Sequence, residues 1–317
     1  GENGGAAFLV VYILFMLAIG VPVMLSELII GRRAQRNPFG AFRKLKPGQP
    51  WYFVGLLGIA AAFMILAFYT TIAGWTLEYL YRSLLNGFSG KTAGELKDMF
   101  TVFQTSGWMP VFWQLVFMLL TALIVWKGIK NGIEKYSKIL MPLLLIIIII
   151  ISVRSLTLEG AGAGLAFLFN PDFSKINGNV MLMALGQSFF SLSIGMGTLI
   201  TYGSYINKSD NLTKTALAVS GTDTLIAILA GVAIFPAVFA FGIPPNEGAG
   251  LVFITLPNIF QQMAGGYFWS VIFFVLLAVA ALTSTISVLE VVVAYFSEEL
   301  NWSRTKATII AASAISV

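Results

Sequence analysis

The sequence contains no cysteine and no histidine, and only 10% of its 317 residues are charged. The first two absences exclude disulfides, zinc sites built from cysteine or histidine, covalent haem attachment, and catalysis by Ser-His-Asp or Cys-His arrangements. A typical soluble domain carries about 25% charged residues. Because hydrophobic residues make up 58% of this chain, too little polar surface is left to cover a water-soluble globule. The composition therefore predicts a polytopic membrane protein and argues against an enzyme.

Long apolar runs are abundant in this sequence. A membrane-spanning helix needs about 20 consecutive apolar residues. The runs are continuous rather than alternating, which favours helices over a transmembrane β-barrel. We predict an all-α protein in which residues 1–317 form a single transmembrane domain. The eight predicted spans cover residues 6–30, 52–82, 108–126, 138–154, 180–203, 212–241, 266–297 and 307–317.

The positions of the basic residues predict the orientation of these spans. Fourteen of the 19 Lys and Arg residues lie in loops on one side of the predicted membrane, and five lie on the other. Because cytoplasmic loops are enriched in Lys and Arg, the side with fourteen is predicted to be cytoplasmic. We expect a multi-pass protein of the plasma (inner) membrane with Gly1 on the extracellular side. The positive charge is thus a topology signal, and nucleic acid is not expected as a partner.

Two segments place polar or helix-breaking residues near the middle of a span. In the fifth span, the segment from Ser191 to Gly197 carries two glycines spaced by one residue, which weaken a helix. Unpaired backbone cannot face lipid, so a break at this depth should line a cavity enclosed by protein. Close helix packing through small residues is the alternative. In the seventh span, the hydroxyls of residues 283–287 suit a small, hard cation, although such hydroxyls also bond to carbonyls of their own helix.

Asp223 is a carboxylate about 11 residues, or ~17 Å, into the sixth span. A carboxylate at this depth needs a cation, a proton or a basic partner, and no Lys or Arg lies at mid-depth in any span. This favours a bound cation or a protonated acid, while a neutral acid bonded to a backbone carbonyl is the alternative. Two further acids, Glu27 and Glu290, are expected to belong to structural networks, Glu27 with the nearby Arg32 or Arg33.

Several segments together resemble the neurotransmitter:sodium symporters. The run from Gln187 to Gly197 reads QSFFSLSIGMG and resembles the sixth helix of that family. Residues 2–8 (ENGGAAF) resemble the segment between its first and second helices, residues 253–257 (FITLP) its fourth outer loop, and residues 282–284 (LTS) its eighth helix. The resemblance implies a fold with an inverted repeat of five plus five helices. On that frame the chain covers helices 2 to 8 and part of 9, and lacks helix 1 and the helices after 9. We therefore expect that helix 1 belongs to the full protein, although a processed N-terminus is the alternative.

The resemblance also implies roles for individual residues. Ser191 and Asp223 would serve a first sodium site beside the substrate carboxylate, so that Ser191 belongs to both sites. The carbonyl of Ala280 and the hydroxyls of Thr283 and Ser284 would serve a second sodium site. Tyr69 would bond to the substrate carboxylate, and Phe190 would form an aromatic lid. The side-chain subsite would be lined by Ile65, Ser193, Met196, Ser287 and Val288.

Four features of the chain lead to finer expectations within this family. A permanent carboxylate at Asp223 would provide the negative charge that animal members obtain from chloride, so we expect chloride-independent transport. Met196 is flexible and fills irregular space, which favours a pocket for both aliphatic and aromatic side chains. Gly132 and Pro142 match a spacing that the family links to local unwinding, while an ordinary entry into a helix is equally consistent with it. Gly195 and Gly197 would form the hinge of the broken helix.

Together these observations predict a sodium-coupled symporter that moves hydrophobic L-amino acids, such as leucine or tryptophan, across a lipid bilayer by alternating access. The closest alternative is a proton-coupled amino-acid permease on the same fold, in which Asp223 would titrate. A passive pore and a non-transporting scaffold are further alternatives. Dependence of uptake on a sodium gradient separates these possibilities.

Overall fold

The computed structural model of the protein describes residues 3–242 and 248–316. Four parts of the chain lie outside the described residues: Gly1, for which an extracellular position is predicted; Glu2, the first residue of one segment that carries the resemblance; residues 243–247; and Val317, the last residue of the predicted eighth span. Within the described ranges every regular element is a helix, and no strand is present. The prediction of an all-α protein is therefore confirmed.

The helices vary widely in length, and three of them border or contain π-helical turns. These turns cover Met16–Gly20 in the first helix, Ile129–Glu134 in the sixth, and Leu251–Thr255 just before the eleventh. In chain order the helices are α1 (Ala6–Ala34), α2 (Pro38–Leu45), α3 (Tyr52–Leu84), α4 (Ala93–Thr105), α5 (Trp108–Trp126), α6 (Ile129–Leu156), α7 (Ala161–Phe169), α8 (Gly178–Ser191), α9 (Thr198–Tyr205), α10 (Leu212–Ala240), α11 (Leu256–Gln262), α12 (Gly266–Glu299) and α13 (Arg304–Ser316).

Six of these helices are long and apolar enough to cross a membrane: α1, α3, α5, α6, α10 and α12. They coincide with six of the eight predicted spans. The fifth predicted span is divided into α8 and α9, with a non-helical segment between Ser191 and Thr198. The eighth corresponds to α13, whose 13 residues are fewer than the roughly 20 that a spanning helix needs. The sequence thus predicted the long spans and the position of the break.

Side-chain caps mark where several helices begin. The side chains of Asn177 and Asn211 each accept a hydrogen bond from the backbone N–H three residues later, at the starts of α8 and α10. At the start of α4, Thr92 and Glu95 exchange hydrogen bonds in a capping box. The bond from the Thr92 backbone, together with that from its hydroxyl, holds the pKa of the Glu95 carboxyl below its ordinary value.

The long helix α12 lies at the centre of the molecule. It packs against α3, α5, α6 and α13, and its buried residues extend from Ser270 to Ala294. A second group of helices surrounds α10, which packs on α6, α7 and α1. Large apolar side chains such as Met64 and Phe68 on α3 are 71% and 70% exposed. Because the bilayer is the solvent for such surfaces, exposed apolar residues are expected on the outer faces of spanning helices.

Two glycines allow α1 and α9 to approach closely. A Cβ atom at Gly31 would collide with the backbone of Ile200, and one at Gly203 would collide with the backbone of Leu28. Small residues at such crossings let two helix backbones come into contact. This contact holds α9, the second half of the divided fifth span, against α1. The break between α8 and α9 therefore lies beside Glu27 on α1.

Candidate functional site

The break between α8 and α9 has a backbone that ordinary helix residues rarely adopt. Ser193, Gly195 and Gly197 have φ values of +56°, +84° and +74°. Glycine adopts positive φ without steric cost, whereas a residue with a side chain pays about 1–3 kcal/mol. The glycines singled out in the sequence therefore form the break, and Ser193 is the strained position within it.

Glu27 on α1 satisfies one of the backbone groups that the break exposes. Its Oε1 accepts a hydrogen bond of 2.8 Å from the backbone N–H of Gly195, and the side chain is only 9% exposed. The expected ion pair of Glu27 with Arg32 or Arg33 is absent from the ion pairs of the described residues. The expectation was wrong because a freed N–H buried in the membrane needs an acceptor, and Glu27 faces the break rather than the basic loop.

Asp223 on α10 faces the same break from another side. It accepts a hydrogen bond from the hydroxyl of Ser191, the last residue of α8. The hydroxyl of Tyr12 on α1 lies 3.5 Å from the same carboxylate oxygen. The structure thus brings together Ser191 and Asp223, the pair that the family resemblance implies for a first sodium site, and their role in binding sodium stays a prediction. Tyr12 was missed, because nothing in an apolar run marks which of its aromatic residues faces a distant acid.

A cavity of about 230 Å³ opens beside these groups. Among the residues that the structure describes, Asp223 is the only charged one that lines it, and none of them adds a cationic side chain. Ser191, Ser193 and Ser284 add hydroxyls, and apolar side chains cover the rest of the wall. Such a cavity suits a small molecule with one polar end and one apolar end. Its lining consists of Ile65, Tyr69, Gln187, Phe190, Ser191, Ser193, Met196, Asp223, Ser284 and Val288.

Of the twelve residues predicted to bind substrate or sodium, nine line this cavity and three do not. Ala280, Thr283 and Ser287 are outside its lining, although they lie on the same helix as Ser284. Ala280 lines a neighbouring cavity of about 300 Å³, and Tyr69 belongs to the walls of both cavities. Gln187 was quoted in the sequence motif without a role. Gln187 lies four residues before Ser191, one helical turn away and on the same face of α8. This spacing would have predicted that Gln187 also lines the cavity.

The hydroxyl segment of α12 is bonded to its own helix. The hydroxyls of Thr283 and Ser284 donate to the carbonyl of Ala280 over 2.8 and 3.3 Å. All three oxygens predicted for the second sodium site therefore converge within one helical turn. Each hydroxyl keeps its lone pairs while its proton is held by the carbonyl, so both oxygens remain available as ligands to a cation. A hard cation such as sodium prefers oxygen donors of this kind.

The side chain of Ser287 has a different environment from the one expected. Its hydroxyl donates to the carbonyl of Thr283 over 3.0 Å and accepts a 3.0 Å hydrogen bond from the hydroxyl of Tyr202 on α9. Tyr202 was not identified from the sequence. The role of Ser287 in a side-chain subsite stays a prediction.

Gly132 and Pro142 lie in α6, at the end where the chain forms a π-helical turn. Gly132 belongs to that turn, and a Cβ atom there would collide with the carbonyl of Ile124. Pro142 lies inside the α-helical part, where its ring removes one backbone hydrogen bond. Both features weaken regular helix in one stretch, and a role in conformational change stays a prediction.

The second acid expected in a structural network, Glu290, lies in one. It is fully buried on α12, and it accepts hydrogen bonds from Arg304 and, over 2.7 Å, from the hydroxyl of Tyr205 on α9. A buried carboxylate is tolerated where a cation and hydrogen bonds satisfy it. Glu290 is accordingly a structural contact between α12, α13 and α9.

Comparisons with known proteins agree with this architecture. The family model described as the sodium:neurotransmitter symporter family matches residues 1–97 and 88–317. The chain is 40% identical over 294 residues to the uncharacterized sodium-dependent transporter YhdH of Bacillus subtilis, covering 93% of this chain and 65% of that protein. It is 41% identical over 326 residues to an uncharacterized sodium-dependent transporter of Haemophilus influenzae, covering 99% of this chain and 71% of that one.

Among solved structures, the chain is similar to MhsT in a crystal structure of its complex with L-phenylalanine. The TM-score is 0.92 at 50% sequence identity, and the match covers 100% of this chain and 72% of MhsT. The chain thus spans about two thirds of the length of these relatives, and 65% in the case of YhdH. These matches confirm the resemblance inferred from the residues.

Proposed function

The chain belongs to the sodium:neurotransmitter symporter family, and from that premise we propose that it forms the transport core of a sodium-coupled symporter for hydrophobic L-amino acids. The family consists of transporters rather than enzymes. The observation that carries the proposal is the convergence of Asp223, Ser191 and Ser284, from three separate helices, on one cavity with an apolar wall. Alternating access of this cavity to the two sides of the membrane would move its contents across.

The first sodium ion would bind between Asp223 and Ser191. An amino acid would bring its own carboxylate into a cavity in which the acid Asp223 is the sole charged residue of the described lining. Two anions facing each other in a medium of low dielectric repel strongly. A cation between them removes this repulsion, so the substrate binds well only together with the ion. This electrostatic requirement would couple the sodium gradient to uptake.

The second sodium ion would bind at the carbonyl of Ala280 with the hydroxyls of Thr283 and Ser284. These oxygens carry no formal charge, so this site would neutralise no anion and would act by holding α12 against the helices that face it. Two sodium sites are proposed in total. The names of the two curated bacterial relatives describe them as sodium-dependent transporters, which supports the use of sodium.

The substrate would lie with its carboxylate near Tyr69 and Ser191 and its side chain against the apolar wall. That wall is formed by Ile65, Met196 and Val288. Met196 and Val288 are only 6% and 8% exposed, so they are packed within the protein and present apolar surface to the cavity. Phe190 is 59% exposed, which leaves its ring free to cover the cavity. The complex of MhsT with L-phenylalanine supports a hydrophobic amino acid as the substrate class.

The proposed setting is the plasma (inner) membrane, with the basic loops in the cytoplasm and the N-terminal end of the chain outside. Gly132 and Pro142 would permit local unwinding of α6, which lets water reach the second sodium ion. Transport is proposed to be independent of chloride, because Asp223 supplies a fixed negative charge beside the first sodium site.

The decisive experiment is uptake of radiolabelled leucine and tryptophan into proteoliposomes with and without an inward sodium gradient. We expect uptake to require the gradient and to be abolished by Asp223→Asn, which keeps the shape of the side chain but removes its charge. Asp98→Asn is the matched control, because Asp98 is an exposed acid of α4, away from the cavity. Uptake that follows a pH gradient without sodium would instead support the proton-coupled permease, and uptake that follows neither gradient would overturn both.

A further inference from the structure

The hydroxyl segment of α12 makes hydrogen bonds to helices on two sides. Thr285 shares a buried 2.9 Å hydrogen bond with Thr121 on α5. Ser287, two residues later, accepts the 3.0 Å hydrogen bond from Tyr202 on α9. Residues two positions apart on a helix point in nearly opposite directions. The turn that carries the second proposed sodium site is therefore held between α5 on one side and the second half of the broken span on the other.

The contact with α9 continues into the backbone of the proposed sodium site. Tyr202 donates to Ser287, and Ser287 in turn donates to the carbonyl of Thr283 over 3.0 Å. Hydrogen bonds arranged in a chain polarise and strengthen one another. The hydroxyl of Thr283 donates to the carbonyl of Ala280. Two successive hydrogen bonds thus connect the Tyr202 hydroxyl to the carbonyl of Thr283. The hydroxyl of the same residue, Thr283, makes the third hydrogen bond, to the carbonyl of Ala280.

At its other end, Tyr202 is connected to the substrate cavity. It lies one helical turn into α9, which begins directly after Gly197. Tyr202 packs in the same apolar cluster as Met196, Ile286 and Val288. Met196 and Val288 also line the cavity. A change in the position of the break, such as one that follows substrate binding, therefore acts directly on the position of the Tyr202 hydroxyl.

We propose that the Tyr202–Ser287 hydrogen bond couples the substrate cavity to the second sodium site, with Tyr202 as a positioning residue. This inference rests on the proposed function. When the broken span closes on a substrate, the bond holds Ser287 and the turn at Thr283 in the orientation in which the hydroxyls of Thr283 and Ser284 face the ion. By linkage, sodium at this site stabilises the same position of α9 and so strengthens substrate binding by an equal factor.

The test is a double-mutant cycle on the purified protein in detergent. Tyr202→Phe and Ser287→Ala each remove one hydroxyl and leave the packing nearly unchanged. We measure binding of radiolabelled leucine as sodium chloride replaces choline chloride at constant ionic strength. Each single variant is expected to raise the sodium concentration for half-maximal binding by about threefold to tenfold, the effect of losing one neutral hydrogen bond. The double variant is expected to show the same shift as either single variant, since both remove one bond.

Thr121→Val is the matched control, because it removes the hydroxyl that holds the opposite side of the same turn to α5. It is expected to lower the melting temperature while leaving the sodium dependence within about twofold of the unmodified protein. An equal shift in Thr121→Val would reduce the Tyr202 bond to general support of α12 and overturn the coupling. The coupling would also be overturned if the two single variants had additive effects on the sodium concentration for half-maximal binding, or if Tyr202→Phe left that concentration unchanged.

Stability is followed in parallel so that an unstable variant does not obscure the result. If Ser287→Ala does not fold, Tyr202→Phe alone decides, because its hydroxyl lies outside the substrate cavity and its ring is retained. If the unmodified protein binds leucine equally well with and without sodium, the proposed function itself fails and this inference fails with it. Sodium-dependent binding in the unmodified protein together with unshifted variants contradicts only the inference.

Discussion

The molecule offers oxygen atoms at membrane depth in two different ways. Between α8 and α9 the helix is interrupted, and three residues of the interruption have positive φ values. In α12 the helix is continuous, and serine and threonine hydroxyls bonded to their own backbone carry the oxygens. The interruption exposes backbone groups that other helices must satisfy, as Glu27 does for Gly195. The continuous helix needs no such partner for its backbone, so it exposes oxygen with little strain but without formal charge.

This difference teaches where each kind of site is useful. A broken helix supplies N–H and carbonyl groups in directions that helix geometry does not allow, which suits the recognition of a polar substrate end. A continuous helix keeps its oxygens at fixed spacing along one face. The break should therefore be sensitive to backbone changes, whereas the α12 segment should be sensitive to loss of hydroxyls, both its own and that of Tyr202.

The largest effect is expected from Gly197→Ala. An added Cβ at this position, where φ is +74°, would meet the side chains of Pro38 and Val291. Gly195→Ala is the matched variant, since Gly195 also has positive φ but has open space around the added atom. The left-handed conformation alone costs about 1–2 kcal/mol for a residue with a Cβ. Gly197→Ala should lower the melting temperature and uptake more than Gly195→Ala does, and equal effects would contradict the importance of the contact with Pro38.

A smaller effect is expected from Ser284→Ala in the continuous helix. Losing one oxygen ligand should raise the sodium concentration for half-maximal uptake by about threefold to tenfold, with little change in melting temperature. Ser270→Ala serves as the control, because Ser270 is a buried serine of the same helix whose hydroxyl also donates to its own backbone. If both variants behave alike in sodium titrations, the α12 segment does not bind the ion.

Substitution at Met196 tests whether the break also determines substrate choice. In Met196→Phe a rigid ring replaces a flexible side chain at the apolar wall of the cavity. We expect uptake of tryptophan to fall relative to leucine by about tenfold, because one misfit group in an apolar pocket is worth about 1–3 kcal/mol. Competition of unlabelled tryptophan with labelled leucine measures the ratio. An unchanged ratio would show that Met196 does not select the side chain.

The smallest effect is expected from replacing chloride. On the proposal that Asp223 is ionised beside Ser191, exchange of chloride for gluconate at constant sodium should change leucine uptake by less than about twofold, below the roughly 1.4 kcal/mol that a tenfold change would require. Proteoliposome uptake in the two salts measures this. A large loss of leucine uptake in gluconate would show that the Asp223 carboxylate does not replace an external anion. The first sodium site would then not differ from the α12 site by a fixed charge of the protein.

Much of the site could be read from the sequence because its signals are local. Two glycines in Ser191–Gly197 marked the break, and the structure has positive φ at both. A lone acid in an apolar run marked Asp223, and the structure places it against Ser191. The run of hydroxyls at residues 283–287 indicated oxygen ligands on α12, and the family resemblance added the carbonyl of Ala280. Each of these signals lies within a few residues of the chain, where hydropathy and backbone preference act. The pairing of Asp223 with Ser191, 32 residues away on another helix, was implied by the family resemblance instead.

The partners of these groups could not be read in the same way. Glu27 was expected to bond to the arginines one turn away but bonds to Gly195, 168 residues further along the chain. Tyr12 faces Asp223, and Tyr202 faces Ser287, without any pattern in the chain that marks them. In a span that is apolar on all sides, periodicity does not show which face meets protein and which meets lipid.

By itself, the amino-acid sequence determined that this is a membrane protein, where its long helices run, where one of them breaks, and which polar groups lie near the middle of a long apolar run. These properties follow from hydropathy and backbone preference, which act within a turn or two of the chain. Only the tertiary structure decided which polar groups satisfy one another, because that depends on how the helices are rotated and arranged side by side. Packing determines this arrangement through contacts such as those of Gly31 and Gly203, which bring α1 and α9 together and so place Glu27 at the break.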